Sequence, residues 1–376
     1  MSLRGSYPIR SRCVRSVSLD WPVALVAWVL VAMATGCALL GRSGESAGPT
    51  ERVVVSDGWL AMGTFFEADL RVRPDEVARA KAWLEWSRGE IERLEKIYSR
   101  HDPDGEVSEL NRALARSDAP LLAAVVGPEL EGVLFDSIEV WEHSGGAFDV
   151  TIGPLITVWT RAVERGAWPS VEELRWAKRR IGSGRLLLPG DGKIGTTADG
   201  MRIDLDGISK GAVLDRLRER LQTQLPEVAA LLSFGESSVL ALGDPKDTRS
   251  RHAGGWRLEI VSRSPERERL GTLRLRDRAL SVSSSVGSVS EIAGQEISHV
   301  VDPRTGASVE GTVEAVVVAD RAAIADAWST ALLVLGAERN SIRLVERAGL
   351  EAMVFESAGR IASSEGWDEL TADVVP

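Results

Sequence analysis

"VAALLSFGESSVLALG", residues 228–243, sets two apolar runs on either side of a short polar turn. The runs "VAALLSF" and "SVLAL" have strand length, and the turn between them is too short to hold a crossover helix. Strands joined in this way pair antiparallel. More strand-like runs follow at short intervals: "WRLEIV", "GTLRLR", "ALSVSS", "SHVV" and "EAVVVA". Upstream, the pattern is mostly helical. Residues 74–99 have helical spacing, with Val77, Leu84, Ile91, Leu94 and Ile97 as the buried stripe. A second helix opens at Pro128 and runs to His143, just before Gly145-Gly146. Ser170 and Glu173 form a capping-box pattern that starts "VEELRWAKRRI". "RLLL", "KIGTT" and "MRIDL" read as short strands, and a helix covers 210–224. A last long helix, "AAIADAWSTALLVL", ends at Gly336, and "EAMVFES" with "RIAS" forms a closing hairpin. Helices early and mainly antiparallel strands late give an α+β fold, a single large domain with two subregions. No G-x-G-x-x-G follows a strand, which argues against a dinucleotide-binding Rossmann unit.

Composition narrows the functional classes. The 376 residues are 44% hydrophobic and 27% charged, as in ordinary globular proteins, and a net charge of −10 argues against nucleic acid as a partner. Arg4, Arg10, Arg12 and Arg15 precede the apolar run 21–34, which ends in "ATGC". That order resembles a lipoprotein signal peptide (1–36) with Cys37 as the lipidated residue, followed by a flexible tether (37–52) and the functional domain (53–376). The alternative is an uncleaved anchor. Either reading puts the body outside the cytoplasmic membrane; the first places it at the bacterial cell envelope, tied to a membrane through a lipid on Cys37 and facing the periplasm or exterior. The only cysteines are Cys13 and Cys37, so the body carries no thiol for a disulfide, a thiolate metal site or a nucleophile.

Five constellations carry candidate chemistry. On the last helix, Asp326 and Thr330 lie four apart on one face, beside Ser329, in an otherwise apolar sequence. A hard cation such as Mg²⁺ would compensate the buried carboxylate. An arginine partner for the aspartate, with the threonine bonded back to its own helix, would explain the same residues. In "RIDLDGISKGAVLD" (202–215), a glycine turn and Lys210 open a helix whose free N–H groups favour an anion; plain strand–turn–helix punctuation is the alternative. It is not a calcium loop, because Arg202 and Val213 occupy the positions that need carboxylates. "SGGAFDVTIGPL" (144–155) offers glycines for close backbone approach, with Phe148 and Asp149 beside them, or else a loop after a helix stop. "AMGTFFEADL" (61–70) reads as a strand with a Met-Gly kink or bulge. "ISHVVDPRTGASV" (297–309) places His299 where an apolar strand breaks into an Asp-Pro…Gly turn.

These motifs, with "YSRHDPDGEVSELN" and in this order, resemble the FAD:protein FMN transferase (ApbE) family, including its lipoprotein forms. The resemblance implies an α+β flavin transferase fold that binds FAD and Mg²⁺. It implies transfer of FMN to a threonine or serine hydroxyl of an acceptor redox protein, with release of AMP. By motif position it implies Gly207, Asp326, Ser329 and Thr330 at the metal. It places Met62, His101, Ala147, Phe148, Asp149, Asp204, Lys210 and Val300 at FAD. His299 falls where a general base toward the hydroxyl would stand, with Asp326 as the other catalytic residue. Two segments depart from the family pattern: Phe234 precedes Gly235 where a paired-glycine turn is common, and "SVSSS" (281–285) replaces the usual Thr-Ser-Gly. Competing readings are a Mg²⁺-dependent pyrophosphatase that splits FAD into FMN and AMP, and a flavin-binding lipoprotein without catalysis.

Overall fold

The computed structural model describes Val14–Ser16 and residues 52–115, 121–235, 237–246, 254–262, 271–286 and 289–373. Cys37 and most of the expected signal peptide and tether lie outside the described residues. Val14–Ser16, within the expected signal peptide, forms a short strand antiparallel to the strand at 256–260.

An eight-stranded antiparallel sheet organises the chain. Its strands are β1 (Val53–Ala61), β2 (Thr64–Val72), β3 (Ala229–Phe234), β4 (Ser238–Leu242), β5 (Arg278–Ser284), β6 (Thr312–Ala319), β7 (Glu351–Glu356) and β8 (Ile361–Ser363). They lie side by side in that same order. The pair β3–β4 is the antiparallel hairpin expected of 228–243, with Phe234 opposite Ser238. Each strand thus follows its neighbour, and long excursions between strands build the rest of the molecule.

The largest excursion, between β2 and β3, holds six helices: α1 (Val77–Tyr98), α2 (Glu106–Ala115), α3 (Pro128–His143), α4 (Gly153–Arg165), α5 (Val171–Lys178) and α6 (Ser209–Gln224). Between β6 and β7 come α7 (Ala322–Leu335) and α8 (Arg339–Arg347). α1 buries Trp83, Leu84, Ile91 and Leu94 at helical spacing, with Val77 and Ile97 at the margin of the stripe. α7 is buried on nearly all sides, which its Ala- and Leu-rich sequence permits. Trp328 on α7, Trp83 on α1, and the Phe66–Phe234 pair (ring centroids 4.9 Å apart) are the large side chains of the core between sheet and helices. A second, smaller core on the other sheet face packs Trp256, Leu258 and Leu273 against Val239, Val316 and Phe355.

Several expectations need correction. "AMGTFFEADL" is not one kinked strand. Met62 and Gly63 are the two turn residues of a tight β1–β2 hairpin, both with positive φ (49° and 72°), while Ala61 pairs with Thr64. Met62 is held there by donating its N–H to Glu95 Oε2 at 3.1 Å. "MRIDL" forms no strand; Arg202 makes only an isolated bridge to Ile152. The strand expected at "SHVV" ends at Ser298, and His299 and Val300 stand between it and the 302–306 turn, which Val301 and Ser308 close with an isolated bridge. The segment 144–155 is a loop only as far as Ile152, after which α4 begins at Gly153. The capping box of α5 is complete: Ser170 N–H donates to Glu173 Oε2 (2.7 Å), and Glu173 N–H donates to Ser170 Oγ (3.2 Å).

Candidate active site

Five segments distant in sequence meet around one cleft of about 470 Å³. The loop before α4 brings Ala147, Phe148 and Asp149; the entry to α6 brings Asp204, Gly207 and Lys210. The end of β5 adds Ser283 and Ser284, the segment after residue 298 adds His299 and Val300, and α7 adds Asp326 and Thr330. A second hollow of about 460 Å³ holds Met62 and His101. Lys210 and Asp206 border both, so the two hollows are neighbours. Of the expected site residues, Ser329 alone lies off the walls of both hollows.

Asp326 is only 4% exposed, and its carboxylate is held by neutral donors. Oδ2 accepts the Gly211 N–H at 3.0 Å; Oδ1 accepts Ser238 Oγ (3.3 Å) and Ser281 Oγ (3.2 Å). Among the described residues no arginine pairs with it. The hydroxyls continue as a network. Ser329 Oγ, fully buried, donates to the Asp326 carbonyl (2.8 Å) and lies 2.7 Å from Ser283 Oγ. Thr330 Oγ1 lies 3.4 Å from that same carbonyl, so the helix back-bond anticipated as an alternative does form, though it is long.

These oxygens suit a hard cation. The buried Asp326 carboxylate and the Thr330 hydroxyl, both on the cleft wall, are oxygen donors of the kind Mg²⁺ takes. Among the described residues no group of three or more His, Cys, Asp or Glu side chains could hold a metal. Gly207 has a positional reason to lack a side chain: a Cβ there would stand 3.2 Å from Thr330 Oγ1 and 3.2 Å from Phe148 Cε2. The space beside Thr330 is kept open by that glycine.

Two helix contacts fix the site. A Cβ on Gly211 would lie 2.2 Å from the Ala322 carbonyl oxygen, so only glycine lets α6 approach α7 closely enough for its N–H to reach Asp326. Asp215, one turn further along α6, accepts the N–H groups of Ala322 (2.8 Å) and Ala323 (3.0 Å), satisfying the first turn of α7. Gly211→Ala should therefore lower unfolding free energy by about 1–3 kcal/mol through overpacking. Urea unfolding checks this; an unchanged midpoint would mean the helices separate without cost.

Other polar groups play structural parts. Burial pushes the Asp149 carboxyl above its ordinary range, against the pull of its hydrogen bonds from Thr151 and Ser183. Those bonds (Thr151 Oγ1 2.6 Å, Thr151 N–H 2.9 Å, Ser183 Oγ 2.8 Å) tie the loop before α4 to residues 182–183. Burial also raises Asp204, aided by the Asp206 charge and opposed by Arg100. Arg100 Nε lies 2.8 Å from Asp204 Oδ2, an ion pair off the line of a hydrogen bond, while another guanidinium nitrogen lies 3.2 Å from Asp206. Lys210 stands in the first turn of α6, but the free N–H groups expected there are taken: Ser209 and Ala212 donate to the Leu205 and Ile208 carbonyls and Gly211 to Asp326, which leaves the ammonium and the helix dipole to favour an anion in the groove.

Residues 62–354 match the sequence model of the ApbE family. The chain belongs to the ApbE family. An Escherichia coli K12 relative named FAD:protein FMN transferase is 25% identical over 317 residues, covering 82% of this chain and 85% of its own. A Treponema pallidum relative of the same name is 27% identical over 287 residues, covering 73% and 77%. Among solved structures, the apo form of the Pseudomonas stutzeri flavinyl transferase ApbE superposes with a TM-score of 0.72 at 24% identity, over 86% of this chain and 98% of that one. At that identity the likeness shows a shared ApbE fold.

Within this ApbE chain, sequence reasoning missed Arg100 and Asp206, and it singled out the serines of β5 only as a departure from the family pattern. Ser281 and Ser283 could have been found by period two: alternate residues of one strand share a face, here the face that meets α7. Nothing local to Arg100 signals its place, because its partners Asp204 and Asp206 lie a hundred residues away.

Proposed function

We propose that this chain transfers the FMN moiety of FAD to a threonine or serine hydroxyl of an acceptor redox protein and releases AMP. The observation that carries the reading is one cleft lined by His299, Asp326 and Thr330, with a second hollow beside it that shares Asp206 and Lys210 as walls. The acceptor oxygen attacks the FMN-side phosphorus, the bond from that phosphorus to the bridging oxygen breaks, and AMP leaves with the bridging oxygen. His299 takes the hydroxyl proton. Lys210 and the first turn of α6 neutralise the pyrophosphate, while Phe148, Ala147 and Val300 provide apolar walls for the flavin. The resident metal in this reading is Mg²⁺ at Asp326, Thr330 and the Gly207 carbonyl, with Ser329 behind them. Such an ion supplies charge neutralisation at the phosphates, which phosphoryl transfer needs more than covalent help. The body is held at the cell envelope by a lipid on Cys37.

The test is incubation with FAD, Mg²⁺ and threonine-bearing peptides. Peptide mass should rise by one FMN less water. AMP without a mass gain would make the chain an FAD pyrophosphatase, and neither product would leave it a flavin binder.

A further inference from the structure

α5 is anchored to the segment that carries His299. Its inner face, Leu174 and Ala177, with Ile181 just beyond its end, packs in a small core with Leu155 and Val158 of α4 and with Val301, two residues past His299. Trp159 Nε1 donates to the Gly306 carbonyl at 3.0 Å. The Lys178 stem covers Gly306, where a Cβ would sit 3.5 Å from Lys178 Cδ.

The outer face is basic, in a chain that is acidic as a whole. Val171, Arg175 and Arg179 recur at four-residue steps and are exposed, beside exposed Trp176 and Trp168. Arg180 stacks on Trp176, its guanidinium carbon 4.2 Å from the ring centroid. Residues 156–185 hold seven Arg or Lys against three Glu, in a molecule of net charge −10. Arg165 is paired with Glu173, which leaves Glu164 and Glu172 as the segment's other acids. Arg175, Lys178 and Arg179 have no acidic partner among the described residues. Unpaired cations around exposed tryptophans are the composition of a recognition surface rather than of a solvated helix.

We propose that this face of α5 docks an acidic surface of the acceptor protein and guides its hydroxyl over the turn to His299. The proposal rests on the transferase reading above. The contacts of α5 with Val301 and Gly306 tie this face to the segment that carries His299, which favours the protein that brings the hydroxyl over a membrane as its occupant. Positive charge at the rim raises the encounter rate of an acidic partner and loses that effect as salt increases.

The test uses the purified chain and two fluorescent peptides of equal length, one glutamate-rich and one lysine-rich, each with a single threonine, and with alanine in its place for binding. Wild type should bind the acidic alanine peptide at low salt and release it as salt rises. Arg175→Glu/Arg179→Glu should weaken that binding roughly tenfold or more, with FAD affinity and Tm unchanged. In turnover, the same variant should raise KM for the acidic threonine peptide with little change in kcat. Equal binding by wild type and variant, or no preference over the lysine-rich peptide, would overturn the proposal. Binding to phosphatidylglycerol vesicles but not to the acidic peptide would overturn it too, assigning the face to a membrane. Failure of the transferase reading looks different: the acidic peptide binds, yet no FMN adduct forms on either threonine peptide.

Discussion

Asp326→Asn should reduce Mg²⁺-dependent turnover of FAD by about a hundredfold or more while leaving the protein folded. A cation at a phosphoryl oxygen is worth several kcal/mol of transition-state stabilisation, and each 1.36 kcal/mol is a factor of ten in rate. Asparagine keeps the size of the side chain and one oxygen for the Gly211 N–H or the serine hydroxyls, but removes the charge that the metal needs. Alanine is the poorer probe. It would leave three buried donors without an acceptor, at about 1–3 kcal/mol each, and mix unfolding with chemistry. Rates measured across a Mg²⁺ titration, with Tm recorded alongside, separate the two effects. Wild-type rates and an unchanged Mg²⁺ response in the asparagine variant would remove Asp326 from the metal site.

His299→Ala should slow transfer by about 10²–10⁴-fold, the usual contribution of a positioned base, with FAD affinity nearly unchanged. The imidazole is exposed on the cleft wall, so its removal carries little packing cost. The pH–rate profile adds a readout that a binding role would not move: the acid-side limb that a titrating base imposes should disappear from kcat. If affinity and rate fall together by the same factor, the histidine holds substrate and does not take the proton.

The fold was legible wherever short connections tie strands together. The segment 228–243 read as an antiparallel hairpin because its turn leaves no room for a crossover, and β3–β4 is that hairpin. The last helix was legible as apolar on all sides but for Asp326, Ser329 and Thr330, and all three turn inward toward β5 or the cleft. Two things were not. α4 begins with Gly153 and Pro154, which resemble the end of a loop, although Leu155, Val158 and Ala162 form a helical stripe behind them. The Met62-Gly63 turn was read as a kink because a methionine at positive φ carries no local signature; Glu95, more than thirty residues away, stabilises it. The site itself is assembled from residues between Arg100 and Val334, and no period or spacing states which loops face one another.

The central claim is a coupled transfer: one AMP leaves for each FMN placed on a hydroxyl, with the metal required for both. A single-turnover experiment with FAD, Mg²⁺ and a threonine acceptor, quenched over time and analysed for AMP and for acceptor adduct, tests this directly. The account predicts that the two products rise together in a one-to-one ratio, vanish with EDTA and return with added Mg²⁺. AMP in large excess over adduct, or adduct formed equally well in EDTA, would contradict it.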